Sequence, residues 1–189
     1  MRILVVAEGR HELGRAPDEG ALVILVRRVL QSPAEFVQEK ISDFKVRIHR
    51  KPGEPGGFCK RTLAWLRYAE ANGFQALVLI VDEDGEQQRV QEIEAAQDDA
   101  RLRLPRALGV AIRTFDAWML ADERAWSKAV GVTVNRQPTP ERIRDPKRLC
   151  RNLLEESTTS AALSAIYAAV ATHADISALE RRCPKGFAG

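Results

Sequence analysis

Four acidic positions stand where short apolar runs stop. Glu8 follows residues 2–7 (RILVVA), Asp82 and Asp84 follow residues 74–81 (FQALVLIV), and Asp116 lies just past residues 110–114. Carboxylates that converge repel one another unless a cation neutralises them. Oxygen donors with few His or Cys nearby favour Mg²⁺ or Mn²⁺ over zinc. An ion held in this way orients and polarises a phosphodiester and generates hydroxide from bound water. The spacing alone leaves the reaction open, because Asp-x-Asp also occurs in phosphatases, kinases and glycosyltransferases. A plain acidic turn is the alternative for Asp82-Glu83-Asp84-Gly85, since Asp and Gly are turn formers.

The elements around these acids decide whether they can meet. Residues 2–7 read as a buried strand, and Pro17-Asp18-Glu19 opens a helix carrying Leu22, Leu25, Val26, Val29 and Leu30 at helical spacing up to Pro33. Val46 and Ile48 alternate with Lys45, Arg47 and His49 as a half-exposed second strand would. A loop at residues 52–57 leads into a helix anchored by Leu63, Leu66 and Ala69 and stopped near Asn72-Gly73. Residues 74–81 are nearly continuous in apolar side chains, as in a central strand covered on both faces. Residues 86–104 suggest a polar helix with a thin stripe at Val90, Ile93, Ala100 and Leu104, and residues 110–114 a fourth strand. Residues 115–130 suggest one amphipathic helix, and residues 160–172 another.

Strand and helix therefore alternate four times. This predicts an α/β fold, a three-layer Rossmann-like domain with a mainly parallel sheet over residues 1–115, carrying a helical C-terminal part over residues 116–189. Working groups in such sheets sit at the carboxyl ends of the strands, where Glu8, Asp82, Asp84 and Asp116 fall. Asp116 reads equally well as a first-turn helix acid behind a Thr114 cap. Asp122 lies four residues from both Trp118 and Trp126, and a carboxylate on that face needs a partner, for example an arginine.

A basic stretch, Lys45 to Arg61, surrounds Gly56-Gly57. Backbone N–H groups of a Gly-rich loop before a helix suit phosphate, with Arg50, Lys51, Lys60 and Arg61 supplying charge beside Gly56 and Gly57. The GxxxxGK[ST] spacing is absent, which argues against ATP hydrolysis by this chain. A solvated strand and loop is the alternative for this stretch.

Composition narrows the class further. The chain has 189 residues, 45% hydrophobic and 29% charged, enough for a core without metal or disulfide staples. Net charge is +3, distributed as +4 over residues 1–80, −6 over 81–123 and +5 over 124–189. An acidic block between basic ones suits a nuclease, in which carboxylates hold metal and flanking cations hold phosphate. Cys59, Cys150 and Cys183 are too few and too scattered for a disulfide framework or a local zinc cluster; no apolar run spans a bilayer and no secretory signal is visible, so a reducing cytoplasm is expected.

Glu8-Gly9-Arg10-His11-Glu12 after one strand and Asp82-Glu83-Asp84 after a later one resemble the Toprim pattern of topoisomerases, bacterial primases, recombination-mediator proteins and overcoming-lysogenization-defect nucleases. The likeness is closer to small bacterial Toprim-like proteins, some found beside ATPases in defence-type loci. It covers residues 1–115, with weaker similarities at residues 116–122, at Asp145-Pro146-Lys147 and at Arg182-Cys183-Pro184. The resemblance implies divalent-metal chemistry on nucleic-acid phosphodiesters, DNA ahead of RNA, and a partner ATPase. It makes Glu8 the metal-binding acid that handles the proton of the 3′ oxygen, Asp82 and Asp84 metal ligands, and Glu12 a second-metal ligand or the partner of a basic residue. Asp116 stands where the family more often has Glu, and its shorter reach departs from the pattern. Two other classes remain: a non-catalytic Toprim-like scaffold, and a phosphatase or phosphotransfer enzyme with Asp82 as nucleophile. A homo-oligomer is compatible with any of them.

Overall fold

The computed structural model describes residues 1–14, 18–43 and 57–188, with Arg10 and Asp43 described by backbone alone. Four parallel strands form one sheet: β1 (Arg2–Ala7), β2 (Glu35–Lys40), β3 (Ala76–Asp82) and β4 (Arg106–Ala111), in the order β2-β1-β3-β4. Helices α1 (Arg10–Leu13) and α2 (Ala21–Leu30) lie between β1 and β2. Helix α3 (Gly57–Ala71) precedes β3, and α4 (Gln88–Gln97) joins β3 to β4. Five more follow: α5 (Phe115–Met119), α6 (Glu123–Val130), α7 (Pro146–Glu155), α8 (Leu163–His173) and α9 (Ile176–Arg182). The expected three-layer α/β architecture with a parallel sheet is the one observed.

Period-two alternation in β1 builds the layers. Ile3, Val5 and Ala7 enter a core with α2 and the C-terminal helices, through Trp118, Trp126, Tyr167 and Leu179. Leu4 and Val6 face the other way, joining Leu63, Trp65, Leu66, Leu77 and Leu79 under α3 and α4. Residues beyond 115 thus close one face of the sheet and share a core with β1. Among the described residues no helix is long and apolar enough to cross a membrane.

Several boundaries differ from the sequence expectation. The observed β2 is Glu35–Lys40, an edge strand with only Phe36 and Val37 apolar; residues 45–49 lie outside the described residues. Strand β4 starts at Arg106, earlier than expected, and α4 ends at Gln97. The Arg106 guanidinium donates to the carbonyls of Gln97, Leu102 and Asp99, which closes the turn after the helix. The single helix expected over 115–130 is two, α5 and α6, because Asp122 leaves the helical conformation and caps the second.

The strand order has a functional consequence. The chain leaves β1 toward β2 on one side and reaches β3 on the other, so the order reverses between β1 and β3. In open parallel sheets, ligands bind in the crevice outside the strand carboxyl ends at this reversal. Glu8 and Asp82 flank it.

Candidate functional site

Glu8 follows the last residue of β1, and Asp82 is the last residue of the adjacent β3. After Asp82 the chain turns sharply: Asp84 adopts a left-handed conformation at φ 49° and Gly85 follows at φ 80°. The turn is pinned to the end of β4 by Glu83 N–H on the Ala111 carbonyl and Asp84 N–H on the Arg113 carbonyl. Arg113 N–H returns a bond to Glu83 Oε2, 3.0 Å, so Glu83 faces β4 rather than the crevice. The outcome is that one carboxylate oxygen each from Glu8, Asp82 and Asp84 lie within 4.8 Å of one another. Three sequence-predicted ligands are thereby brought together.

Two cations answer their charge. Lys147, second residue of α7, places Nζ 3.1 Å from Asp82 Oδ2 and 3.5 Å from Asp84 Oδ1. Arg89 of α4 lies 3.3 Å from Glu8 Oε1, 3.4 Å from Asp84 Oδ2 and 3.1 Å from Glu86 Oε2, and donates to the Asp82 carbonyl at 2.6 Å. Its guanidinium also stacks 4.5 Å above the Phe58 ring. Neither cation is among the site residues expected from the sequence. Asp145-Pro146-Lys147 was a visible signal: Asp145 Oδ1 accepts from Arg148 N–H at 2.9 Å, and Pro146 occupies the first turn. That cap sets where α7 starts, and so where Lys147 points.

The electrostatics follow from partial burial among like charges. Burial raises the Glu8 pKa, opposed by Arg89 and reinforced by Asp82 and Asp84. Asp82 is also raised, first by burial, despite a 2.7 Å bond from Phe115 N–H and the nearby Lys147. Lys147 is held above the ordinary lysine range, burial being outweighed by Asp82 and Asp84.

Glu12 and Asp116 stand outside the trio. Glu12 folds back over Gly9, where any Cβ would collide with its carboxylate. Its Oε2 is buried with no partner among the described residues, and burial pushes its pKa up to about 7, helped by Asp82 and Asp116. Asp116 is buried and accepts a hydrogen bond from the Tyr167 hydroxyl of α8. Thr114 precedes α5, but its hydroxyl makes no cap bond; Asp82 Oδ1 takes the Phe115 N–H instead. Asp122 caps α6 through Arg124 and Ala125 N–H and accepts Asp175 N–H at 2.7 Å. Its partners are backbone amides, while the nearby Arg182 binds the Ala121 carbonyl and Glu123.

Of the expected phosphate-binding group, Arg50, Lys51 and Gly56 lie outside the described residues. Gly57 opens α3 at φ 56°, and the Phe58 N–H beside it donates to Glu92 Oε2 at 2.6 Å. Lys60 is on the first turn of α3, and Arg61 lies 5.4 Å over the Phe58 ring. His11 is exposed, its ring 6.1 Å from that of Tyr167 and inclined to it by 65°. The three cysteines are buried and free, and burial raises all three thiols, Cys183 up to about 12.

In comparison with known proteins, the chain matches no family model, no curated relative and no solved structure.

Proposed function

We propose that this protein is a divalent-metal-dependent phosphodiester enzyme of Toprim type, a nuclease. The observation that carries the reading is the meeting of Glu8, Asp82 and Asp84 within 4.8 Å at the reversal of strand order. Three hard oxygen donors without a His or Cys fit Mg²⁺ or Mn²⁺. Glu8, Asp82 and Asp84 would hold the ion, which when bound supplies Lewis acidity and a water of lowered pKa. Asp82 is a rigid ligand, because its second oxygen is fixed by Phe115 N–H. Glu8, more exposed than Asp82, is the acid placed to take and return a proton at the reacting oxygen. Arg89 fixes the acidic turn against α4. Lys147, half exposed, is placed to move from Asp82 and Asp84 onto a substrate phosphate once the carboxylates have another cation. The substrate class is nucleic acid, with DNA ahead of RNA, and the activity is read with an ATPase partner as well as without.

A second reading has its own observation. Arg89 and Lys147 already pair with each of the three acids and offset part of their charge, as they would in a scaffold that needs no metal. Phosphotransfer through Asp82 has less support, since Asp82 ends β3, while the end of the first strand, where such folds usually carry the nucleophilic Asp, holds Glu8.

The two readings separate on Glu8→Gln, which keeps shape and removes charge. The nuclease reading expects nucleic-acid binding at the wild-type level and loss of Mn²⁺-dependent cleavage by a factor of about 10² or more. A wild type that cleaves nothing, with or without the ATPase, while Glu8→Gln retains biological activity, would establish the scaffold.

A further inference from the structure

Helix α7 is divided lengthwise. Leu149, Cys150 and Leu153 turn into the core, while Lys147, Arg148 and Arg151 stand exposed on the opposite side. Arg142 and Arg144, also exposed, precede the helix. Residues 141–151 hold five cations against two acids, and both acids are turned to backbone amides. Glu141 accepts from Lys185 and Gly186 N–H, and Asp145 from Arg148 N–H. Among the described residues no carboxylate pairs with Arg142, Arg144, Arg148 or Arg151. The strip starts at the acidic edge, because Lys147 is the residue that touches Asp82 and Asp84.

We infer that this strip is the surface along which a nucleic-acid phosphate backbone runs into the acidic edge. The inference takes its substrate class from the function proposed above, but concerns binding and not the chemical step. Charge complementarity selects the occupant: exposed guanidinium groups present paired donors matched to phosphate oxygens. From Lys147 to Arg151 is about 6 Å along the helix axis. A duplex strand advances about 3.4 Å per phosphate, so one turn of α7 spans roughly two phosphates. A membrane surface fits poorly, since the apolar side of α7 is packed inward and leaves nothing to insert. At the start of α3, by contrast, the Phe58 amide is already taken by Glu92.

The test is binding of a fluorescently labelled DNA duplex in EDTA over a salt series, which separates binding from cleavage. Arg148→Ala/Arg151→Ala should lower affinity about tenfold or more and reduce the slope of log K against log salt by about 1.8. Arg148→Lys/Arg151→Lys should keep the wild-type slope, and so should Arg67→Ala/Arg103→Ala, which removes the same charge from exposed positions outside the strip. A wild-type slope in the alanine pair, or an equal loss in the Arg67/Arg103 control, overturns the inference. So does a wild type that binds no DNA at low salt. Mn²⁺-induced stabilisation of the wild type, measured without DNA, reports on the metal site independently, so either idea can fail while the other stands.

Discussion

Gly9 and Glu12 illustrate how a single residue departs from its sequence expectation. The Glu-Gly-x-x-acid pattern suggests an acid that binds a second metal or pairs with a basic residue; in the fold α1 is one short turn that folds Glu12 back onto the glycine. Its carboxyl is buried, short of hydrogen bonds, and titrates near 7 in place of 4.5. Between pH 4.5 and about 7 the folded chain therefore keeps a proton that the unfolded chain has released. Stability falls as pH rises through that window, and the full cost is present above it. Glu12→Gln should stabilise the metal-free protein at pH 8 by on the order of 3 kcal/mol and by almost nothing at pH 4.5. Denaturant unfolding in EDTA across this range measures it; a pH-independent difference would show that the side chain is not buried as a proton-holding acid. Glu8, Asp82 and Asp84 were legible because each terminates or follows an apolar strand, and parallel strands deliver their ends to one edge. Arg89 was not, since nothing local to it records that its side chain returns to the ends of β1 and β3; at Lys147 the Asp145-Pro146 cap marks the start of a helix but not the contact with Asp82.

At the level of elements, helix breaks were harder to read than helix existence. The apolar pattern runs almost unbroken through residues 115–130, so periodicity predicts one helix. The structure inserts a cap at Asp122, whose two oxygens serve α6 and the Asp175 amide before α9. The competition is local: an Asp side chain offers the next turn's amides a better partner than a continued helix does. Asp122→Ala should cost about 2–3 kcal/mol, combining a lost cap with an orphaned Asp175 amide, while Asp122→Asn, which keeps one acceptor oxygen for the cap but turns an NH2 toward the Asp175 amide, should recover only the cap's share of about 1 kcal/mol. Thermal unfolding of the two variants checks this, and equal losses would mean that charge rather than hydrogen bonding holds the junction. Strand β2 was missed for a different reason. Glu35, Gln38, Glu39 and Lys40 leave only two apolar residues for an edge position, and its pairing with β1 is supplied by the sheet. Asp145-Pro146, a cap with proline in the first turn, is a local start signal for α7 that the pattern of apolar residues does not bring out.

Over the whole molecule, two cores meet along one sheet, and the reversal between β1 and β3 opens onto the acidic edge. The C-terminal helices cover one face and also deliver Lys147, so the edge is completed by parts of the chain distant in sequence. Without a divalent ion Arg89 and Lys147 offset part of the carboxylates' charge; with one, Lys147 is the cation free to leave, being half exposed while the Arg89 side chain is held between the Phe58 ring and the acidic turn. The alternation of strands and helices made the three layers legible from the sequence, and the acids at two strand ends made the edge legible. The balance of charge at that edge depends on packing and was visible only in the fold. The most direct measurement is a crystal soaked in Mn²⁺ and examined for anomalous scattering. The account predicts a Mn²⁺ peak between Glu8 and Asp82, within about 2.5 Å of both and of Asp84 or its bound water, with the Lys147 ammonium withdrawn from Asp82. An edge with no peak, and with Lys147 still on Asp82 and Arg89 still on Glu8, would contradict it.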